Sequence, residues 1–240
     1  MRGANAPELP PLDGQFDDNL RMQMAELLVH EGAHEQAVPI LNDALKRKPL
    51  DPRLHYLLGT LLRDRGVFEQ ADIELRRALE LDPKMAPAQS ALGILYDLEH
   101  RSVEAEKAHR AAIVLDPAVA RYQNNLGFCL FLQGRPADAI GAYEAALKLA
   151  PTAQQVYLNL GFAYAAVGRE ADAARMFRQA GDEAAALTNL ALAHELQGQP
   201  DKARALYREA LSRDPGERAA LRNLEALEHP AAAEKSEKSK

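Results

Sequence analysis

Apolar and small residues recur along the chain with a period of 34 residues, and this recurrence predicts the fold. When each unit is numbered from 1 to 34, position 7 is apolar in every copy and position 8 is always alanine or glycine. Position 24 is bulky, and positions 20 and 27 are alanine. Positions 4, 7, 8 and 11 share one face of a helix, and positions 20, 24 and 27 share one face of a second helix. Each unit is therefore predicted to be a pair of antiparallel helices.

Glycine and proline mark the predicted helix ends. Position 15 is glycine in every unit except the third, where His100 replaces it, and a left-handed residue is expected there to end the first helix. Proline at position 32 stops the second helix. The glycines are Gly32, Gly66, Gly134, Gly168 and Gly198, and the prolines at the strict period are Pro49, Pro83, Pro117 and Pro151. His100 is accordingly predicted to occupy a strained turn.

The period divides the chain into repeats with different ends. A capping helix is predicted over 218–229, because glutamates replace the small and bulky residues that a further repeat would bury. Residues 1–17 are predicted to be a flexible arm, and 230–240 a disordered charged tail. The predicted repeats are 18–51, 52–85, 86–119, 120–153, a short 154–183, and 184–217. In the short repeat the second helix is predicted to end at Gly181, and Asp182 to cap the next helix.

This pattern of small residues, bulky residues and prolines resembles the tetratricopeptide-repeat (TPR) family over roughly residues 18–217. The resemblance implies an all-α, right-handed superhelical solenoid of six helix–turn–helix repeats plus a C-terminal capping helix. It also implies a non-enzymatic scaffold that binds proteins or peptides. The sequence departs from the family pattern at position 4, where no repeat has tryptophan, and at His100.

Positions 2, 6, 9 and 13 lie opposite the predicted buried face and are expected to line the inner surface. They are mostly polar in repeats 1 and 2 but apolar in repeats 3 to 6, where position 6 adds asparagines. Asparagine amides suit the backbone of an extended peptide, and phenylalanines suit its side chains. The predicted peptide-binding groove consists of Arg121, Asn125, Asn159, Asn189, Phe128, Phe162, Leu132, Ile94, Leu98, Leu192 and Leu196. The alternative is internal packing, because asparagine at position 6 is common in the family and positions 9 and 13 often contact the adjacent first helix.

Net charge limits the classes of partner that are expected, and cysteine content limits the disulfide and metal sites. A net charge of −6 gives no basic face for nucleic acid or an anionic membrane, so protein partners are expected. The lone Cys129 excludes an internal disulfide, and the spacing of cysteine and histidine predicts no zinc site. We expect no cofactor, no signal peptide and no membrane span. The expected location is the cytoplasm, or the periplasm if a leader peptide was removed.

One catalytic motif occurs and is set aside. His30-Glu31-Gly32-Ala33-His34 matches the H-E-x-x-H motif of zinc hydrolases, whose chemistry needs both histidines on one face of a continuous helix. The repeat register places Gly32 in a turn, so the chain is predicted not to be an enzyme. His109 and His194 fall at core positions, and Cys129 is expected to be a small buried residue.

Three interpretations of function remain open. The first is an adaptor that holds a peptide in the groove of repeats 3–6. The second rests on the segments NNLGFCLFLQGRPADAI and AGDEAAALTNLALAHELQGQ, which resemble the TadD-like repeat proteins of bacterial tight-adherence (Flp) pilus assembly and related secretion systems. The third is a homo-oligomer seam formed by the apolar inner side chains of repeats 3 to 6. The family's carboxylate clamp, which uses lysines at positions 2 and 5, is not expected here.

Overall fold

The computed structural model describes residues 18–229, which form helices and no strand. Helices α1–α6 belong to a first compact unit, which ends at Asp116, and α7–α13 to a second, which begins at Pro117. The all-α fold class is confirmed. The helices are α1 (Asp18–His30), α2 (His34–Arg47), α3 (Pro52–Asp64), α4 (Phe68–Leu81), α5 (Ala86–Leu98), α6 (Ser102–Leu115), α7 (Ala120–Leu132), α8 (Pro136–Leu149), α9 (Gln154–Ala166), α10 (Glu170–Ala180), α11 (Glu183–Leu196), α12 (Pro200–Arg213) and α13 (Arg218–Glu228). The predicted arm 1–17 and the tail 230–240 lie outside the described residues.

In repeats 2 to 5, each first helix packs on its second helix through a glycine and a large side chain. An ideal Cβ added to Gly59 would lie 2.7 Å from Leu75, and the equivalent distance is 2.7 Å from Gly127 to Tyr143. In repeat 5 the same Cβ on Gly161 would lie 2.4 Å from Phe177. Only a residue without a side chain permits this approach, so position 8 is small because position 24 fills the space beside it.

The turns between the paired helices share one geometry. Five glycines at position 15 have positive φ angles, between 70° for Gly32 and 77° for Gly168, and His100 adopts the same region with φ 59°. The third amide after the helix donates back to its last turn, as Arg101 N does to Tyr96 O at 2.8 Å. The strained turn predicted at His100 is therefore confirmed.

The buried face of the first helices differs from the predicted one. Position 3 is buried from repeat 2 onward, as in Leu54 and Tyr122, and so is position 10, as in Leu61 and Leu95. Position 4, which was predicted to be buried, is mostly half-exposed. There, His55 Nε2 lies 2.9 Å from Pro49 O and the Tyr157 hydroxyl donates to Pro151 O at 3.0 Å. In these two repeats, position 4 thus ties its helix to the turn that precedes it.

Repeat 5 has the shortened second helix that its sequence predicts. Helix α10 has 11 residues where α8 has 14, and it ends before Gly181. The Asp182 side chain accepts a hydrogen bond from Ala185 N at 2.8 Å and caps α11. A carboxylate here therefore replaces the proline turn that separates the other repeats.

Replacing His100 with glycine is expected to stabilise the chain by about 0.5–1 kcal/mol. A left-handed conformation costs a residue with a side chain roughly 1–2 kcal/mol, and the greater freedom of glycine in the unfolded chain offsets part of the gain. Urea denaturation of the two full-length proteins measures the difference. Glu99→Gly is the matched control, because Glu99 has a φ of −86° and gains nothing from glycine. Equal destabilisation by both changes would contradict the strain at His100.

Candidate functional site

The residues predicted to form the groove lie on the first helices, but not all in one unit. Helix α9 contacts both α7 and α11, and all three helices belong to the second unit. Their side chains at positions 6, 9 and 13 therefore form one surface. Ile94 and Leu98 lie on α5 in the first unit, and the candidate site is therefore built from second-unit residues only. We call this set the apolar stripe: Arg121, Asn125, Phe128, Leu132, Asn159, Phe162, Asn189, Leu192 and Leu196.

Exposure separates the members of the apolar stripe. Leu196 is 73% exposed, Leu132 58% and Phe128 45%, which is unusual for large apolar side chains. Phe162 and Leu192 are half-buried. The Phe162 ring meets the fully buried Phe177 ring edge-on, with centroids 5.0 Å apart. Phe162 therefore belongs partly to the core, and the accessible apolar surface comes mainly from position 13 and Phe128.

The asparagines are not equally available to a ligand. Asn159 donates to the Asn124 side chain at 2.9 Å and accepts from Gln155 at 3.1 Å. Asn125 also has an interaction within the chain. Asn189 makes no hydrogen bond through its amide group within residues 18–229. An amide that offers a free donor and acceptor to a peptide is thus found at Asn189, whereas Asn159 also links α9 to α7.

Sequence reasoning missed a buried tyrosine that joins successive repeats. The Tyr164 hydroxyl donates to Glu144 on α8 at 2.6 Å, and the Arg169 guanidinium lies 4.3 Å from the centre of the tyrosine ring. Burial, then the hydrogen bond to Glu144, raises the pKa of Tyr164. Tyr96 and Arg101 repeat this stacking at 4.3 Å in the first unit. The signal was a tyrosine at position 11 followed five residues later by arginine.

The zinc-hydrolase motif does not form a ligand set. Helix α1 ends at His30, Gly32 turns with φ 70°, and α2 begins at His34. The His30 ring lies 3.6 Å from Glu31, whereas His34 lies 3.9 Å from Asp64 on α3. The two histidines therefore belong to different helices, as the register predicts, and the geometry that the motif requires is not met.

The remaining histidines and the cysteine lie in the core. His109 is fully buried, with Nε2 2.8 Å from the Asp97 carboxylate, and it replaces the aromatic or aliphatic residue at position 24. His194 is 4% exposed, with Nδ1 3.1 Å from the Gln199 side chain. Cys129 is buried, and the Gln133 amide donates to its Sγ at 3.2 Å. His109 and His194 thus stand at the core positions that the repeat predicts for them, and Cys129 is buried as expected.

Among the described helices, none is both long and apolar enough to cross a bilayer.

Four family models, each described as "Tetratricopeptide repeat", match residues 22–86, 120–153, 154–179 and 184–217. No curated protein matches the chain. The solved structure of Pseudomonas aeruginosa PilF is 22% identical with a TM-score of 0.68, covering 85% of this chain and 95% of PilF.

Two further solved structures share the fold. PilW, described as a widely conserved type IV pilus biogenesis factor, is 20% identical with a TM-score of 0.72, covering 86% of this chain and 98% of PilW. YrrB, described as a TPR protein with an unusual peptide-binding site, is 21% identical with a TM-score of 0.58, covering 76% and 96%. At these identities the likeness shows the fold alone.

Proposed function

Because the chain belongs to the tetratricopeptide-repeat family, whose members are interaction scaffolds, we propose that it is a non-enzymatic adaptor that binds an extended peptide segment of another protein along the apolar stripe. The observation that carries the proposal is the exposure of Leu132 and Phe128 on α7 and of Leu196 on α11. Since both helices contact α9, these large apolar side chains stay uncovered along one row of first helices. Rows of this kind mark interaction surfaces.

The polar members of the stripe support an extended ligand. Asn189 offers its amide to a peptide backbone, and Arg121 is an exposed cation at the start of α7. Phe162 is assigned a supporting role, because it already packs on Phe177. Leu132, Phe128 and Leu196 are therefore the anchors that take the apolar side chains of the peptide.

A more specific candidate is an assembly factor of a bacterial pilus or related secretion system. The TadD-like segments of the sequence favour it. PilF and PilW add support, because each has nearly its whole length matched by this chain. In this function, the peptide held by the apolar stripe comes from a component of the pilus or secretion machine.

Changing the exposed anchors is expected to weaken partner binding by about tenfold or more, since central apolar anchors dominate binding free energy. The test compares wild type with Phe128→Ala combined with Leu132→Ser in quantitative pull-downs from the native host. Leu149→Ser is the matched control, because Leu149 is 44% exposed on α8 in the same unit but lies on a second helix.

The outcomes separate the interpretations. Partners lost with the double change and kept with Leu149→Ser support the adaptor, and pilus or secretion components among them support the assembly factor. If light scattering shows that wild type is oligomeric and the double variant is not, the stripe is a homo-oligomer seam. Partner binding that is unchanged by the double variant would refute the proposed groove.

A further inference from the structure

A second cleft lies within the first unit, whereas the apolar stripe belongs to the second. It runs between the second helices α4 and α6, with the first helix α5 as its floor, and has a volume of about 470 Å³. This volume lies within the range of known ligand clefts. We call it the α4–α6 cleft. Its lining residues are Arg76, Leu79, Glu80, Gln89, Leu92, Tyr96, Glu104, Lys107, Ala108 and Ala111.

The interior of the α4–α6 cleft is apolar and is kept open by small side chains. Leu92 lies in the floor and Leu79 in the α4 wall, while the α6 wall contributes Ala108 and Ala111. A larger residue at either alanine would occupy the space. The cleft therefore has room and an apolar lining for an aliphatic or aromatic side chain of a ligand.

Most charged side chains around the α4–α6 cleft already have a partner within the chain. Both carboxylates already have cationic partners, since Glu80 pairs with Arg77 at 2.8 Å and Glu104 pairs with Arg101 at 3.1 Å. Arg76 is held by Asp72 at 2.6 Å and donates to the Tyr96 hydroxyl at 2.7 Å.

Two donors in the lining stay free. Within residues 18–229, Lys107 has no ion-pair partner, and the Gln89 amide makes no side-chain hydrogen bond. The cleft therefore offers one uncompensated positive charge and an unused amide beside an apolar interior.

The neighbouring repeat provides an internal comparison. The equivalent cleft between α2 and α4 has a volume of about 310 Å³ and carries Ile73 where the α4–α6 cleft has Lys107. Its charged residues are paired, Arg65 with Glu35 at 3.0 Å and Glu74 with His55 at 2.6 Å. The neighbouring cleft therefore lacks the free cation that the α4–α6 cleft offers.

We propose that the α4–α6 cleft docks an acidic peptide segment, in which an aliphatic or aromatic side chain enters the apolar interior and a neighbouring carboxylate meets Lys107. The Gln89 amide is positioned to bond the peptide backbone. A single cation in a narrow apolar cleft suits one carboxylate of a peptide, whereas nucleic acid requires a row of cations. This surface is distinct from the apolar stripe, and its occupant is independent of the adaptor's partner.

The test is selection of a random displayed peptide library on the full chain, followed by fluorescence anisotropy of the recovered peptides. Peptides that occupy the cleft are expected to carry aspartate or glutamate beside a large apolar residue. Their affinity should fall about tenfold with Ala111→Leu, which fills the cleft, and about threefold to tenfold with Lys107→Glu. High salt should weaken the wild-type complex and not the Lys107→Glu complex.

Two variants make the result specific. Ile73→Glu changes the neighbouring cleft and should leave affinity unchanged, as should Leu132→Ser in the apolar stripe. Lys107 is exposed, so Lys107→Glu tests the proposal even if Ala111→Leu lowers stability. The proposal is overturned if no recovered peptide depends on Ala111 or Lys107, if the dependent peptides show no acidic enrichment, or if Leu132→Ser removes the same peptides.

Discussion

Gly161→Ala is expected to lower the free energy of unfolding of the second unit by about 2 kcal/mol, although alanine is the better helix former. The new Cβ would lie 2.4 Å from Cε1 and 2.6 Å from Cδ1 of Phe177. Phe177 is fully buried and its ring also meets Phe162, so it has no free space into which to move. Either the α9–α10 pair separates or Phe177 leaves its rotamer. Urea denaturation followed by circular dichroism measures the loss.

Gly141→Ala is the matched control for this prediction. Gly141 lies inside α8 in the same unit, and a Cβ there would have no atom within 4 Å. Alanine should therefore stabilise the helix by about 0.5–1 kcal/mol. Combining Gly161→Ala with Phe177→Leu should recover part of the loss, because the smaller side chain removes the overlap. A loss from Gly161→Ala that Phe177→Leu leaves unchanged would contradict the contact.

The architecture of each repeat was predictable because a single physical constraint repeats along the chain. A glycine at position 8 and a bulky residue at position 24 are two halves of one contact, so both recur with the same period, as Gly127 and Tyr143 show. The turn glycines are equally informative, since the left-handed conformation excludes most other residues. His100 is the exception, and its positive φ shows that the turn is imposed by the packing around it.

The buried face was only partly predictable. Position 4 is predicted to share the buried face, although five of the six repeats have a polar or aromatic residue there. His55 and Tyr157 instead bond proline carbonyls of the preceding turn. Helical periodicity places positions 3 and 4 only about 100° apart, so it cannot decide which of them faces the neighbouring repeat. Contacts between repeats decide it, and these are not encoded in the period of one helix.

The candidate site shows the same limit. The sequence places Phe128 and Phe162 at one position of successive repeats and predicts one role for both. The structure distinguishes them, because the Phe162 ring packs edge-on against Phe177. Phe128 remains 45% exposed, although its repeat also has an aromatic residue, Tyr143, at position 24. Asn159 likewise has two side-chain partners that a helical wheel does not reveal. A wheel gives the direction of a side chain but not what lies beside it.

Stability is expected to fall steeply above pH 10, because burial raises the pKa of four tyrosines. For Tyr96 burial comes first and the hydrogen bond to Asp72 second, and together they raise its pKa to about 12. Burial alone raises the pKa of Tyr143, and burial is also the largest cause for Tyr164 and Tyr207. Below about pH 10 each tyrosine is protonated in both the folded and the unfolded chain, so its contribution to stability is fully present. Above it the unfolded chain loses its proton first, so unfolding becomes easier by up to about 1.4 kcal/mol per pH unit for each tyrosine, until the folded pKa is passed.

Tyr143→Phe gives the cleanest test of this loss, because it deletes the ionisable group at a site where burial is the sole cause of the raised pKa. The free energy of unfolding, measured by urea denaturation between pH 9 and pH 12, should fall less steeply for the variant. The difference in slope is expected to reach about 1.4 kcal/mol per pH unit above pH 10. Tyr96→Phe should likewise make stability fall less steeply over this pH range, and it leaves Asp72 paired with Arg76 at 2.6 Å. Titrating tyrosinate absorbance in the unfolded chain supplies the reference curve. Folded and unfolded curves that coincide would show that the core does not protect these hydroxyl groups from ionisation.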